Sequence, residues 1–138
     1  METEMEIFFP GGKRVDAHYQ GFTIQTDQSI DRGGGAAEPA PFALFLASIG
    51  TCAGIYVLSF CQERNIPTEG VRLIQKIERN GKSRKVEKIS IEIKLPSNFP
   101  QKYRTAVVHS AQLCSVKKHM EEPPNFEVTA TVAGEESE

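Results

Sequence analysis

Residues 41–61 read Pro-Phe-Ala-Leu-Phe-Leu-Ala-Ser-Ile-Gly-Thr-Cys-Ala-Gly-Ile-Tyr-Val-Leu-Ser-Phe-Cys, and no charged residue occurs from Pro39 to Gln62. A run of this length could span a bilayer. Pro39, Pro41, Gly50, Thr51, Gly54 and two serines interrupt its apolar character, and the chain has no Trp to anchor it at an interface. The expectation is a core helix from about Pro41 to Asn65, closed by Pro67 and buried on nearly all sides. A single chain of 138 residues cannot easily surround such a helix, so burial by a second subunit is expected.

Cys52 lies at the middle of this run. Neighbours three, four and seven residues away share its face, which gathers Phe45, Ser48, Ile49, Tyr56 and Ser59 around it. Cys61 is nine residues on, about 900° of rotation, and points to the opposite side as a core residue. A third thiol, Cys114, follows in His109-Ser-Ala-Gln-Leu-Cys-Ser-Val-Lys-Lys-His119. On residue type alone, all three thiols read equally well as packing, because free Cys behaves as a small hydrophobe.

Upstream, residues 5–9 and 22–26 read as short strands, with a turn at Gly11-Gly12. The loop Asp31-Arg-Gly-Gly-Gly-Ala-Ala-Glu-Pro-Ala40 precedes the helix. It lacks the Gly-Lys-Ser/Thr and G-x-G-x-x-G signatures of a nucleotide site. Downstream, Ile89, Ile91, Ile93 and Leu95 alternate with polar residues as a half-buried strand. Val71, Leu73 and Ile77 give its partner, and Asn80-Gly81 signals a tight turn between them. A second helix is expected after a cap at Ser97 or Asn98, with Pro100 in its first turn. Phe99, Tyr103, Ala106, Val107, Ser110, Ala111 and Cys114 form its buried stripe, with Cys114 at or just past the helix end; a short turn from Val116 to Met120 follows, broken by Pro123-Pro124. Phe126, Val128 and Val132 alternate as a last strand, and residues 133–138 read as a frayed tail. The order predicts a single domain over 1–138 of the α+β class, with helices covering antiparallel sheet.

Composition narrows the function. Hydrophobic residues make up 39% and charged residues 25%, with a net charge of -2, which fits a globular domain and gives no general pull toward nucleic acid. Eight Lys/Arg stand against three Asp/Glu between Val71 and Leu95. Alternation there reads as a solvated strand face, with an anionic partner as the alternative. Three cysteines without a basic, apolar leader point to a reducing, cytoplasmic setting. No Cys/His spacing suits zinc, so no metal is expected.

The run Pro41 to Cys52, followed by Leu113-Cys-Ser-Val-Lys-Lys118, resembles the OsmC/Ohr family of osmotically inducible and organic hydroperoxide resistance proteins. The likeness covers nearly the whole chain, including the separation of the two cysteines and the Gly-rich loop before the helix. It implies an OsmC-like fold: antiparallel sheets wrapped around long central helices in an intertwined homodimer, with paired active sites at the subunit interface. It further implies that Cys52 attacks the peroxide O–O bond and becomes a sulfenic acid. Cys114 would then condense with it to a disulfide, and an external small or protein dithiol would reset the pair, with no cofactor, nucleic acid or membrane involved. An apolar pocket would favour organic hydroperoxides over hydrogen peroxide.

The chain departs from the family in three places. Ser115 stands where the second motif often has proline. Phe42 and Ala43 stand where the family carries an acidic residue, leaving Glu38 as the nearest carboxylate. The family's arginine falls near Tyr19, so His18, Arg14 or Arg32 would have to supply the charge that activates Cys52. These departures support a second reading, a dimeric binding or redox-sensing module with little peroxidase activity.

Overall fold

The computed structural model describes residues 1–134. The chain opens as a three-stranded antiparallel meander of β1 (Glu6–Gly11), β2 (Arg14–Tyr19) and β3 (Phe22–Thr26). The β2–β3 turn uses Gln20 and Gly21, both at positive φ, between the pair Tyr19 and Phe22. That backbone matches the twist of a two-residue hairpin. β2 has no place among the sequence expectations, because Arg-Val-Asp-Ala-His-Tyr carries too few apolar residues to announce a strand; pairing on both edges holds it.

A loop organised by one carboxylate leads into the long helix. Asp27 is buried, and its oxygens accept N–H groups from Gln28 at 2.7 Å and Ala37 at 3.0 Å. These bonds hold its carboxyl below the usual carboxylate range. Gly34 folds back inside this clasp, and a Cβ there would lie 2.1 Å from the Gln28 carbonyl oxygen.

Helix α1 runs Pro41–Glu63 with proline in its first turn, where a missing N–H is harmless. Asn65, at φ 54°, ends it in the left-handed region while Ile66 N–H donates to the Cys61 carbonyl at 2.9 Å, a common helix stop. The hairpin β4 (Arg72–Arg79) and β5 (Val86–Lys94) follows. Leu73 pairs with Ile93, Gln75 with Ile91 and Ile77 with Ile89, so one face of the hairpin is apolar except at Gln75. That amide donates to the Leu46 carbonyl at 3.0 Å and lies where a Gly50 Cβ would be. The hairpin connection is a six-residue loop over 80–85 rather than a two-residue turn. The Asn80 side chain accepts N–H groups from both Lys82 and Ser83, and its backbone N–H donates to the Lys85 carbonyl.

The second helix is a 3-10 turn at Gln101–Tyr103 followed by α2 (Arg104–Ala111), and the short turn expected over 116–120 is a helix of its own, α3 (Ser115–Glu121). Neither Ser97 nor Asn98 caps the second helix; Pro100 precedes the first turn with no side-chain cap. The core joins Val57, Phe60 and Cys61 of α1 to Ile66, Phe99 and Val107, with Leu73, Ile93 and Tyr103 packed around them.

Within this chain, α1 is buried along one stripe only, Ile49, Ala53, Val57, Phe60 and Cys61, while Phe42, Phe45 and Ile55 stay exposed. One chain has too few apolar side chains to cover the rest. The final strand does not form: residues 123–132 are irregular and Phe126, Val128 and Val132 are exposed. A strand needs a ladder partner, and no described residue of the protomer supplies one. Of the expected frayed tail, Ala133 and Gly134 form a turn, and the remainder lies outside the described residues.

Gly34→Ala should lower stability by about 1–3 kcal/mol, the scale of overpacking against a fixed backbone. The midpoint of urea denaturation measures it, and an unchanged midpoint would contradict the clasp geometry.

Candidate functional site

Chain geometry brings two of the three cysteines together. Helical backbone stops at Gln112, and Cys114 adopts an extended ψ of 121° as the N-cap of α3. Its sulfur accepts the Lys117 N–H at 3.5 Å and faces the Ile49 carbonyl at 3.9 Å. This places the start of α3 against the middle of α1, one turn from Cys52.

Cys52 is half-buried, and its sulfur lies 3.6 Å from the Ser115 hydroxyl. Its pKa is lowered to about 7. The largest cause is the backbone N–H of Val116, which outweighs the opposing effect of burial; the Cys114 thiol and the hydroxyl and N–H of Ser115 add to it. Unpaired N–H groups at the start of a helix favour an anion. The field on Cys52 therefore comes from α3, not from its own helix. Cys114 shifts the opposite way: burial pushes its thiol up, and the neighbouring Cys52 thiolate opposes a second negative charge. Ionisation is thus favoured at Cys52 and disfavoured at Cys114.

Ser115 in place of proline now has a physical reading. It occupies the first position of α3, where proline is equally at home. The leading donor, Val116, is one residue further on and works with either residue. Serine adds a hydroxyl aimed at Cys52. His119 steadies this turn from outside, its Nδ1 lying 2.7 Å from the Ser115 carbonyl.

Cys61 is fully enclosed in the core, and burial raises its pKa. The other sequence-nominated residues do not meet Cys52 in the protomer. His18 stacks on Phe8 with ring centroids 4.4 Å apart and shares a hydrogen bond with Thr23. Arg14 pairs with Asp16 at 3.5 Å. Arg32 lies in the 3-10 turn Ile30–Arg32 and Glu38 in the loop before α1. None of the four hydrogen-bonds to Cys52 or contributes to its acidity. Val116 and Ser115 are the contributors that sequence reasoning missed. A polar residue directly after Cys114, at the head of a short helix, was the available signal.

An apolar cavity of about 410 Å³ opens beside Cys114. Ile49 and Ala53 of α1, Ile91 of β5 and Met120 of α3 line it, Cys114 forms part of its wall, and Lys117 is its one charged lining residue. Among the described residues, no group of three or more His, Cys, Asp or Glu could hold a metal ion.

Residues 33–129, which contain both cysteines and the elements that position them, match the family described as OsmC-like protein. The chain belongs to the OsmC-like family. Solved structures share the fold of this OsmC-like protein at low identity. A Psychrobacter arcticus structure, provisionally described as an osmotic stress induced and detoxification response protein, is 22% identical with a TM-score of 0.70, over 86% of this chain and 88% of its own. A hypothetical protein from Aquifex aeolicus is 21% identical with a TM-score of 0.62, over 91% and 92%. A Legionella pneumophila structure, described as an organic hydroperoxide resistance protein OsmC and predicted redox protein, is 16% identical with a TM-score of 0.56, over 87% and 89%. No curated protein matches the sequence significantly.

Alkylation of Cys52 by iodoacetamide should titrate with a midpoint of about 7. The thiolate is the reactive form, so the rate falls about tenfold per pH unit below ~6 and levels above ~8. Because the folded pKa is depressed, ionised Cys52 favours the fold above the free-thiol value of ~8.5, and that contribution fades as pH falls through about 7. Val116→Pro, which deletes the leading donor, should move the midpoint up toward ~8.5, whereas Ser115→Pro should move it less. Equal shifts for the two variants would contradict the ranking.

Proposed function

We propose that this OsmC-like protein reduces organic hydroperoxides with Cys52 as the peroxidatic thiol and Cys114 as the resolving thiol. One observation carries the reading: Cys52 is held near half ionisation at neutral pH by α3 while a protonated thiol stands beside it. A free thiol is only a few per cent ionised there.

The Cys52 thiolate attacks the distal oxygen of the hydroperoxide. An S–O bond forms, the O–O bond breaks, and sulfur is oxidised by two electrons as the alcohol leaves. The departing alkoxide takes a proton from solvent to leave as the alcohol. Cys114 then gives up its proton and attacks the sulfenic sulfur, forming a disulfide and releasing water. An external dithiol restores both thiols by two exchanges. The apolar cavity beside Cys114 suits the hydrocarbon part of the substrate. No metal or organic cofactor enters the cycle.

The active form in this proposal is a homodimer, in which a second copy covers the exposed apolar face of α1 that carries Phe45 and Ile55. That face, on a helix long and apolar enough to cross a membrane, meets a protein surface and not a bilayer. A reducing compartment such as the cytoplasm keeps the cycle primed. A second reading, a dimeric binding or redox-sensing module, is favoured by Phe42 and Ala43: neither supplies a carboxylate, and no cation acts on Cys52.

Cumene hydroperoxide should consume a supplied dithiol catalytically, and Cys52→Ser should fall to the uncatalysed rate; equal rates for the two proteins would sink the peroxidase. After one equivalent of peroxide, intact mass should drop by the two hydrogens of a disulfide, and Cys114→Ser should instead retain one added oxygen. A single oxidation of Cys52 without dithiol turnover would favour the sensing module. Sedimentation should give about twice the 15.3 kDa chain mass.

A further inference from the structure

A second cleft, of about 610 Å³, lies between the loop before α1 and the β4–β5 connection. Arg32 stands on the loop wall and Arg79, Arg84 and Lys85 on the other; Ser29 and Ser83 add hydroxyls, and no Asp or Glu lines it. It shares no lining residue with the cysteine cavity. Among the described residues, none of the four cations forms a salt bridge. Asp31, hydrogen-bonded by Ser29, partly offsets Arg32. Arg79, Arg84 and Lys85 keep their charge unbalanced.

Both walls are built to hold position. The Asp27 carboxylate fixes the loop that carries Ser29 and Arg32. Opposite, Arg84 sits at φ 64°, its N–H bonded to the Asn80 carbonyl and its own carbonyl accepting from the Arg79 guanidinium at 3.3 Å. The same guanidinium lies 5.4 Å from the centre of the Phe42 ring, which ties the turn to the start of α1. Positively charged groups that line one cleft repel one another, and a multiply charged anion relieves that cost. Arginine's planar fork suits phosphate oxygens in pairs. Cations stand on both walls, and a cleft of about 610 Å³ has room for more than a single phosphate between them.

We propose that this cleft binds an oligophosphate group, either free or as part of a phosphorylated small molecule. The position of Phe42, in place of the acidic residue that the resemblance led us to expect, belongs to this site as the ring under Arg79.

Titration calorimetry with inorganic tripolyphosphate should show saturable binding at one site per chain. Arg79→Gln with Arg84→Gln should weaken it about tenfold or more, the scale of lost charge-assisted hydrogen bonds. Lys85→Gln alone, at an exposed side chain, should weaken it less while leaving the fold intact. Lys88→Gln, on β5 but outside the cleft, should leave it unchanged. A nucleoside triphosphate binding more tightly than tripolyphosphate would assign the site to a phosphorylated small molecule, and the reverse order to free oligophosphate. The proposal is overturned by no saturation up to about 10 mM, the weak limit for a specific small-anion site. Equal loss in Lys88→Gln would also overturn it, as would binding of a single-stranded oligonucleotide without binding of tripolyphosphate.

Discussion

The apolar surface of α1 has to be covered, and the rest of the molecule is arranged around that requirement. The hairpin, α2 and α3 reach only one side of it, where Ile49, Ala53, Val57 and Phe60 are buried. Cys52 lies at the margin of that stripe. It is deep enough for backbone donors to act without full screening by water, and open enough for a reactant to reach its sulfur. Moved one or two residues along α1, the same thiol would turn by about 100–200° away from α3, so helical phase sets its surroundings as much as its neighbours do.

The interruption between α2 and α3 is the other half of this arrangement. A continuous helix through Cys114 would have used its own N–H groups in internal bonds. Breaking the ladder at Gln112–Cys114 frees the first N–H groups of α3, and the break falls opposite Cys52. Backbone dipoles thereby do the work that a cation would do elsewhere. They carry no formal charge into a half-buried site, which avoids the desolvation cost of an ion. The lack of a carboxylate at Phe42 and Ala43 is consistent with this, because there is no side-chain cation to orient.

Much of this was legible in the residues, and the failures have physical causes. The uncharged run from Pro39 to Gln62 announced α1, and the Asn65–Pro67 stop marked its end within two residues. Period-two alternation from Ile89 to Leu95 announced β5. Family resemblance, not periodicity, singled out Cys52 and Cys114, since as residue types both pass for packing. What stayed hidden depends on backbone conformation. The extended ψ at Cys114 leaves no mark in side-chain periodicity: the stripe from Phe99 ends at Cys114 without showing that the next helix opens toward Cys52. The donors that act on Cys52 are backbone N–H groups, which look the same in every residue but proline. Alternation at Phe126, Val128 and Val132 described a capacity to pair, which the protomer alone does not meet.

The enclosure of Cys61 has a consequence for error control. Three thiols allow three pairings, and only one of them joins Cys52 to Cys114. Cys61 has no exposed surface, sits on the far side of α1 and is held protonated by its surroundings. An oxidant arriving from solvent meets Cys52, the half-buried sulfur, while Cys114 is buried beside it; in the proposed cycle a mixed disulfide with a reductant would have no route to Cys61. The protein can thus keep a third cysteine as core volume without a scrambling pathway, a separation made by geometry alone.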